Sequence, residues 1–401
     1  MLAPQANCHH IKTMPDGSDT FQISVSPAIS DIDGDEWDAC AGTENPFVSH
    51  AFLLGLEQSG SVKPETGWMA QHLCARDNNS RLLGVMALYL KGNSLGEYVF
   101  DHGWADAYER AGGTYYPKLL CAVPFTPVTG PRIMINRALE SNLAGEVRLQ
   151  LAQGAVTLGK QLGVSSLHIN FLEETDAGAL SSLGFIPRQG LQYHWQNNGY
   201  KNFDEFLAAL SSRKRKAILK ERRSVHESGV EIEVLTGTDI LEPHWDKMFE
   251  FYLDTSNRKW GRPYLNRDSF SYIAQTMADK ALLIMAKQDG EIIAGALNFL
   301  GEDTLYGRYW GCAKQVQFLH FEVCYHQAIE VAISLGLSRV EAGAQGEHKI
   351  SRGYLPTLTR SAHWISDEGF FDAIADFTKR EALAVEHEFS LLMDESPFRK
   401  G

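Results

Sequence analysis

The 401-residue sequence contains no run of about 18 consecutive apolar residues, the length that a membrane-spanning helix requires. Its first residues, MLAPQANCHHIKTMPDG, lack the charged start and the apolar core of a secretory signal. The six cysteines are scattered, with neither the close spacing of a disulfide framework nor a C-x-x-C metal motif. We therefore expect a cytoplasmic protein with reduced thiols, no bound metal and no transmembrane segment.

Positive charge is also scarce. The chain has 37 Lys and Arg residues against 50 Asp and Glu residues, a formal net charge of −13. This balance argues against a general surface for nucleic acids or anionic membranes, because both are polyanions. One segment departs from it: Ser211 to Ser224, SSRKRKAILKERRS, has seven basic residues and a single acid, Glu221. The segment is either a solvated helix face, the commoner meaning of a charge run, or a contact for nucleic-acid phosphates.

An internal repeat organises the chain, and a chain of this length is also expected to divide into two domains. Three pairs of segments match in the same order. The pairs are LLGVMALYLKGNSLGEYVF (82–100) with IIAGALNFLGEDTLYGRYW (292–310), LGVSSLHIN (162–170) with LGLSRVEAG (335–343), and GFIPRQGLQYHW (184–195) with GYLPTLTRSAHW (353–364).

Each pair predicts one part of a repeated fold. The first pair predicts two β-hairpins. In the second pair, each segment follows a predicted helix, over 145–162 in one repeat and 319–335 in the other. Each of these helices ends at a glycine and leads into a strand. The third shares a glycine, an aromatic residue, a proline and a final His-Trp, and predicts a last strand. The product is an α/β fold of mixed sheets flanked by helices, with a helix over 202–228 between the repeats that has an Asn or Asp cap at its start.

The order of these elements resembles the acyltransferase core of the GNAT superfamily, in which a turn such as Leu183-Gly184-Phe185 leads into the final strand. The tandem pair is similar to the Fem-type aminoacyltransferases. Nearly the whole chain resembles the FemAB-like bacterial family of peptidoglycan biosynthesis or recognition proteins, through the segments NPFVSHAFLLGLEQSG, GEYVFDHGWADAYERAGGTYYPKLLCAVPFTPVTG, YGRYWG, FLHFEVCYHQAIE and GAQGEHKISRGYLPTLTRSAHW.

This resemblance implies two tandem GNAT-like (acyl-coenzyme A N-acyltransferase) domains: a first over residues 1–200 with an insertion at about 101–140, a basic connecting helix over 201–228, and a second over 229–401. It also implies an acyltransferase that moves an acyl or aminoacyl group from a thioester or an aminoacyl-tRNA to a small-molecule amine. Such direct transfer needs a general base and donors for the oxyanion, but no tightly bound cofactor. The alternative is a catalytically silent protein that binds a cell-wall precursor or another amine-bearing ligand.

The strongest candidate site is the loop 343–353, GAQGEHKISRG, where the second repeat replaces a helical turn of the first with glycines and chemically capable side chains. Glu347 and His348 are the base candidates, and Lys349 and Arg352 are suited to hold an anion. A polar loop that pairs its own charges is the alternative. The predicted ligand contacts in this loop are Gln345, Gly346, Lys349 and Arg352.

The end of the second predicted hairpin lies where the GNAT fold places the reacting thioester. Tyr306 and Tyr309 are suited to donate to the oxyanion or to return a proton to the leaving thiolate, and Arg308 lies between them. Packing of an aromatic strand on two faces is the equal alternative. His320 and Glu322 begin the next helix and are predicted substrate contacts, although the helix dipole alone also accounts for Glu322.

Further predicted substrate contacts lie elsewhere in the chain. Lys259, Trp260 and Tyr264 belong to a polar and aromatic loop that can close over an acceptor. In the first repeat, Asp101 and His102 are predicted to lie at a cleft wall, with core and turn packing as the alternative.

One departure from the superfamily bears on the donor. GNAT enzymes that use coenzyme A usually carry a Gln/Arg-x-x-Gly-x-Gly/Ala loop whose amides hold the pyrophosphate. After Trp310 this chain reads GCAKQVQFLHFE, without that pattern. Gly130 and Arg132, in VTGPR, are the candidate substitute for cofactor binding. Acyl-coenzyme A is kept as a candidate co-substrate, and the missing loop favours an aminoacyl-tRNA donor.

Overall fold

The computed structural model describes residues 10–11, 21–260, 263–343 and 346–399. The chain divides into two compact units. Unit 1 consists of Met1–Gly190 and Thr359–Val385, and unit 2 consists of Leu191–Leu358 and Glu386–Gly401.

The regular elements alternate along the chain. The strands are β1 (His10–Ile11), β2 (Phe21–Ser26), β3 (Trp68–Ala70), β4 (His72–Asp77), β5 (Leu82–Met86), β6 (Leu88–Lys91), β7 (Lys118–Cys121), β8 (Met134–Ile135), β9 (Ser166–Asn170), β10 (Ile186–Gln196), β11 (Val230–Thr236), β12 (Ala281–Gln288), β13 (Glu291–Leu300), β14 (Thr304–Cys312), β15 (Arg339–Glu341) and β16 (Leu355–Ile365). The helices are α1 (Gly34–Ala41), α2 (His50–Gln58), α3 (His102–Arg110), α4 (Ser141–Leu162), α5 (Glu174–Ser182), α6 (Phe203–Ala209), α7 (Ser212–Glu227), α8 (Glu242–Trp260), α9 (Arg267–Thr276), α10 (Leu319–Phe321), α11 (Gln327–Ser334) and α12 (Glu368–Asp394).

Unit 1 contains two groups of strands. One is an antiparallel sheet in the order β1-β2-β4-β5-β8. The other follows the order β16-β9-β7-β6-β3, in which β7 and β9 are parallel and the other neighbours antiparallel. The long helix α4 buries Val147, Leu151, Ala155 and Leu158 in the core of this unit.

Unit 2 contains one series of strands in the order β11-β12-β13-β14-β15-β10. Among its described strands, only β14 and β15 are parallel, since a helical crossover connects them through α10, the π-helical turn Glu322–His326 and α11. Its core gathers side chains from these strands, from α6, from α7 and from the crossover.

The two repeats exchange their last strands. Residues 191–196 of β10, at the end of the first repeat, belong to unit 2, and residues 194–196 pair with β15. Residues 359–365 of β16, at the end of the second repeat, belong to unit 1, and residues 361–365 pair with β9. The predicted fold class, mixed sheets flanked by helices in a tandem arrangement, is confirmed.

Two local predictions were wrong. The first predicted hairpin, 82–100, does not form. Its strand β6 ends at Lys91 and pairs with β3 and β7. The residues after β6 turn and place the carboxylates of Glu97 and Asp101 beside Lys118 of β7. The second hairpin, β13 with β14, is confirmed. The single helix over 202–228 is two helices, α6 and α7, separated at Leu210, which adopts an extended backbone and is fully buried. Of the predicted Asn or Asp cap, the structure uses Asn202, which accepts from the Glu205 N–H.

Within the residues that the structure describes, no helix combines the length and the apolar character needed to cross a membrane.

Glycine 311 allows α8 to approach β14 closely. A β-carbon at this position would lie 2.3 Å from the backbone oxygen of Phe251 in α8. Backbone atoms have little freedom to move away, so this contact requires a glycine at this point of β14.

We expect Gly311→Ala to destabilise unit 2, because the added methyl group forces helix and strand apart at a cost of about 1–3 kcal/mol. The melting temperature should fall by roughly 2–4 °C for each kcal/mol in a unit of this size. Gly145→Ala is the matched control. A β-carbon there meets nothing within 4 Å and the residue lies inside α4, so alanine should leave the melting temperature unchanged or raise it. Equal effects of the two substitutions would contradict the close contact.

Candidate functional site

Strands β14 and β15 run side by side and then part. Their pairing covers Thr304↔Arg339, Leu305↔Val340 and Tyr306↔Glu341, where β15 ends. β14 continues to Cys312 and pairs on its other side with β13. Within the described residues, no further strand lies against β14 on the side that β15 leaves. We call this edge of β14, residues 307–312, the strand opening. An open strand edge presents backbone donors and acceptors to a ligand.

Buried polar side chains gather where the strand opening begins. Glu341 is 1% exposed and lies directly opposite His194, with 4.0 Å between Glu341 Oε1 and His194 Nε2. Arg339 Nε lies 3.5 Å from the same carboxylate oxygen, and the Arg308 guanidinium carbon lies 5.8 Å from the Tyr306 ring centroid. Burial lowers the pKa of His194 to about 3, so its ring is neutral at physiological pH. Burial also raises the pKa of Tyr306, which keeps its phenol protonated.

The loop that carries the predicted base turns sharply. Gly343 and Gly346 have φ angles of +78° and +120°, which residues with a β-carbon rarely adopt. They lead into a 3₁₀ turn over Glu347–Arg352 in which Glu347 and His348 are exposed. His348 Nε2 lies 2.9 Å from the hydroxyl of Tyr325 on the π-helical turn. This bond engages Nε2 and thereby orients the imidazole ring of His348.

Lys349 and Arg352 make contacts inside unit 2. Lys349 is 2% exposed, and its Nζ donates to the Gly343 carbonyl at 2.9 Å. Arg352 Nη2 lies 2.6 Å from a carboxylate oxygen of Glu221, and its guanidinium carbon lies 3.4 Å from the ring centroid of Phe321. These contacts hold the 3₁₀ turn against α7 and the helical crossover. Anion binding by Lys349 and Arg352 stays a prediction.

A pocket of about 430 Å³ lies at the end of β14. It is lined by Trp310, Cys312, Leu319, His320 and residues 314–317. The His320 ring centroid lies 5.2 Å from that of Trp310 and 6.2 Å from that of His348. The structure therefore brings two predicted imidazoles together beside the strand opening.

Glu322 faces α7. Arg222 Nε lies 3.2 Å from Glu322 Oε1, and Gln327 donates to the same oxygen at 2.7 Å. The carboxylate is 4% exposed. This placement gives Glu322 a structural role in joining α7 to the crossover, and its predicted contact with substrate stays untested.

The remaining predictions in unit 2 concern aromatic residues near α8. The Tyr309 ring packs at 4.9 Å from that of Tyr252, whose hydroxyl accepts from the Tyr264 backbone N–H at 2.9 Å. Three predicted residues have no described side chains: Gln345 lies outside the described residues, and Lys259 and Trp260 end α8.

The basic segment predicted from the sequence forms α7. Arg213, Lys216, Lys220 and Arg223 are exposed and follow one another at intervals of three, four and three residues, which places them on one helix face. At 1.5 Å per residue this stripe is about 15 Å long. The salt bridges seen in the described residues include none to these four side chains.

In unit 1, Asp101 belongs to a buried charge cluster. Lys118 Nζ donates to Asp101 Oδ2 and lies 2.7 Å from Glu97 Oε2, and Lys91 Nζ lies 3.8 Å from Glu97 Oε1. The hydroxyl of Tyr115 donates to Asp101 at 2.7 Å. Burial lowers the pKa of Lys91 to about 7 and raises that of Glu97 to about 7. Burial would also raise the pKa of Asp101, but Lys118 outweighs it and holds this pKa below its ordinary value.

Two histidines extend this cluster. His168 Nε2 lies 3.2 Å from the Tyr115 hydroxyl, and His168 Nδ1 lies 2.6 Å from His363 Nδ1. His363 in turn bonds Ser361 at 2.9 Å. Burial lowers the pKa of His168 to about 3 and that of His363 well below its ordinary value. Both rings are therefore neutral at physiological pH, and one Nδ1–H donates to the other Nδ1. Among the described residues, no group of three or more His, Cys, Asp or Glu side chains is placed to hold a metal ion.

The other predictions in unit 1 lie apart. His102 is exposed and stacks on Phe100, with 6.2 Å between the ring centroids. Arg132 is 2% exposed, and its side chain donates to the carbonyls of Asn170 and Val128. At Gly130, a β-carbon would lie 2.4 Å from the Asn45 side chain. These contacts are those of a packed loop, and cofactor binding by Gly130 and Arg132 stays untested.

The two units hold equivalent polar pairs that the sequence predictions missed. His194 faces Glu341 in unit 2, and His363 faces His168 in unit 1, in both cases directly across antiparallel strands. The shared His-Trp at the end of the third sequence pair was the available signal, because it marks His194 and His363 as equivalent. Tyr325, the partner of His348, carried no such signal.

The pKa of Lys91 gives the unit 1 cluster a pH-dependent stability. Its folded pKa of about 7 lies below the ordinary value of 10.5, so between these values the unfolded chain binds more protons and stability rises with pH. We expect Lys91→Met to remove this rise. The melting temperature of the wild type minus that of the variant should therefore increase as the pH increases from 7 to 10.

The exposed Lys160 supplies the control, since Lys160→Met should leave the pH profile of the wild type unchanged. A constant difference between wild type and Lys91→Met across this range would show that Lys91 is not held in a depressed-pKa site.

Comparison with solved structures shows the fold. FemX is 14% identical, with a TM-score of 0.54 over 86% of this chain and 98% of that chain. L-PGS from Bacillus licheniformis is 10% identical, with a TM-score of 0.50 over 84% of this chain and 98% of that one. The C-terminal domain of a putative lysylphosphatidylglycerol synthetase from Agrobacterium fabrum is 8% identical, with a TM-score of 0.54 over 87% and 96%. At these identities the likeness shows a tandem GNAT-like fold.

No curated protein matches the sequence significantly. The FemAB-like family, described as peptidoglycan biosynthesis/recognition, matches over residues 28–400. The resemblance found in the sequence motifs is thereby confirmed, and the chain belongs to the FemAB-like family.

Proposed function

We propose that unit 2 transfers an acyl or aminoacyl group from an activated donor to an amine, with the reacting carbonyl held in the strand opening. The observation that carries this proposal is the parting of β14 from β15 after Tyr306, beside buried polar groups and a pocket of about 430 Å³. A donor laid along this edge can make the hydrogen bonds that a neighbouring strand would make. The family description makes a cell-wall precursor the proposed source of the amine.

His348 is the proposed general base. When its Nε2–H donates to Tyr325, the lone pair that can accept a proton lies on Nδ1. The amine nitrogen attacks the carbonyl carbon and His348 takes the amine proton. The tetrahedral intermediate then collapses, and the thiol or hydroxyl leaves with a proton. Glu347, exposed beside His348, is proposed to stabilise the imidazolium.

Tyr306 is the proposed donor to the developing oxyanion or to the leaving group. Its raised pKa keeps the phenol protonated, which this role requires. Tyr309 lies further along the same strand and is the second candidate. His320 is proposed to contact the donor in the pocket at the end of β14. No step requires a tightly bound cofactor.

The identity of the donor is proposed from α7. Its exposed basic stripe belongs to the same unit as His348, and Lys214 in this helix donates to Ser351 of the 3₁₀ turn at 2.9 Å. A linear array of cations that make no salt bridge within the described residues, on an acidic protein, suits a nucleic-acid strand. This favours an aminoacyl-tRNA donor, with acyl-coenzyme A as the alternative co-substrate. Both donors are cytoplasmic molecules, so we also propose a cytoplasmic location.

His348→Ala should lower the single-turnover rate of transfer by about 10²–10⁴, because general-base assistance contributes that much. The melting temperature should change little, since the side chain is exposed. His387→Ala, at an exposed histidine of α12, is the matched control and should keep the wild-type rate. A transfer rate in His348→Ala equal to that of the wild type would remove His348 from the reaction. A wild type that binds donors but turns over none would instead support the silent binding protein.

The donor is tested by reversing charge on α7. We expect the double variant Lys216→Glu, Lys220→Glu to bind tRNA more weakly and to show a shallower dependence of affinity on salt, by about one unit of log–log slope for each lost contact. Asp204→Lys and Glu205→Lys on α6 are the control charge changes and should not weaken binding. Unchanged tRNA affinity in the α7 variant, together with stabilisation by acyl-coenzyme A alone, would replace the aminoacyl-tRNA by a thioester.

A further inference from the structure

Unit 2 contains a second pocket, between the start of α7 and the 3₁₀ turn that carries His348. Its volume is about 240 Å³, and its lining includes Arg213, Lys214, Ile218, Glu221, Ser351 and Arg352. Arg213 is exposed, and Lys214, Glu221 and Ser351 are partly exposed. The pocket is therefore open to solvent, and a ligand can reach it.

One acid and one base of the lining neutralise each other. Arg352 Nη2 lies 2.6 Å from Glu221 Oε1, and Arg352 Nε lies 3.2 Å from Glu221 Oε2. Burial would raise the pKa of Glu221, but its bonds to His326 and Arg352 outweigh burial and hold this pKa below its ordinary value. Glu221 is therefore ionised at physiological pH, and Arg352 offsets its charge.

Arg213 and Lys214 supply the charge that remains. The ion pairs of the described residues include neither side chain, and Lys214 Nζ donates instead to the neutral Ser351 Oγ at 2.9 Å. Three cations and one carboxylate line the pocket, an excess of two positive charges. Adjacent like charges repel each other, and a bound anion would relieve this repulsion.

The donors of the lining match a phosphate group. Arg213 offers a planar fork of N–H groups, and the Lys214 ammonium has further hydrogens beyond the one given to Ser351. Ser351 accepts that bond through its oxygen and keeps its own hydrogen to donate. Three donors of different kinds suit an anion that carries several oxygens in a tetrahedral arrangement.

The pocket lies close to the proposed base. Arg352 Nη1 donates to the His348 carbonyl at 2.8 Å. Ser351 follows His348 by one turn of the 3₁₀ helix, roughly 6 Å along its axis at about 2.0 Å per residue. Arg213 also begins the exposed basic stripe of α7, so the pocket continues this stripe toward His348.

We propose that this pocket binds a phosphate group of a substrate through Arg213, Lys214 and Ser351, beside the neutral pair of Arg352 and Glu221. A phosphodiester of a nucleic-acid donor and a diphosphate carried by the amine acceptor share this chemistry. The role of the pocket, which is to anchor a substrate next to His348, rests on the proposed function. Phosphate binding itself does not depend on acyl transfer.

Amide NMR titration of the full-length protein tests the site. The probes are the dinucleotide cytidylyl-adenosine, which has one phosphodiester, and uridine diphosphate, both at millimolar concentration. Their neutral counterparts are the methylphosphonate analogue of the dinucleotide and uridine. We expect a charged probe to shift the amides of Arg213, Lys214 and Ser351 and to bind about tenfold or more tightly than its neutral counterpart. Binding of the dinucleotide alone assigns the phosphate to the donor, and binding of uridine diphosphate alone assigns it to the acceptor.

Substitutions separate the pocket from the general charge of α7. Lys214→Met should weaken binding of the charged probe by about fivefold or more, because a charge-assisted hydrogen bond is lost. Lys220→Met removes the same charge about 9 Å further along the helix and should weaken binding by less than about twofold. Ser351→Ala should also weaken binding, although the net charge stays the same.

His348→Ala separates this proposal from the proposed function. Its imidazole lies outside the lining, so this variant should bind the probes like the wild type even where acyl transfer is lost. The proposal is overturned if neither charged probe shifts the pocket amides, or if charged and neutral probes bind equally. Equal weakening by Lys214→Met and Lys220→Met would overturn it as well.

Discussion

The parting of β14 from β15 is the feature on which the proposed activity depends. Parallel pairing joins them over three residues and stops at Glu341, because β15 ends there and the chain turns through glycines into the 3₁₀ turn. β14 is held on its other side by β13 and from above by α8, whose backbone touches Gly311. The opening is thus supported by rigid elements, which is what a site that must position a carbonyl requires.

In unit 1, the two parallel strands of the repeated fold do not part. Its parallel strands β7 and β9 pair from Leu119↔Leu167 to Cys121↔Ile169 and end together. The position equivalent to Glu341 holds His168, and its surroundings are filled by Asp101, Tyr115 and Lys118. These groups bond to one another in a buried cluster. The duplicated fold therefore has one unit arranged for access and one arranged as a closed polar core.

Much of the fold could be predicted from the sequence, because the helices and strands of the repeat are encoded by local periodicity and by glycines at helix ends. Gly163 and Gly336 have the positive φ angles that such ends need. The sequence could not show that the first predicted hairpin does not form. Glu97, in its predicted second strand, pairs instead with Lys118, and this contact joins residues that are distant in sequence. The exchange of last strands also has no local signal, because both repeats end in the same pattern.

The candidate site could be predicted only in part, for the same reason. Glycines and exposed polar residues marked the loop of His348, whereas Glu341 and His194 lie in apolar strand patterns, where a charged residue is recognised only once its cross-strand neighbour is known. Lys349 and Arg352 looked like ligand contacts because the sequence does not show that Gly343 and Glu221 already bind them.

Amide hydrogen exchange along β14 with aminoacyl-tRNA or acyl-coenzyme A bound tests directly whether the strand opening holds the acyl group. We expect slower exchange in the second half of this strand, residues 307–312, and no change in β7 of unit 1. Protection confined to unit 1, or no protection in β14 at saturating donor, would contradict the claim that the strand opening holds the acyl group.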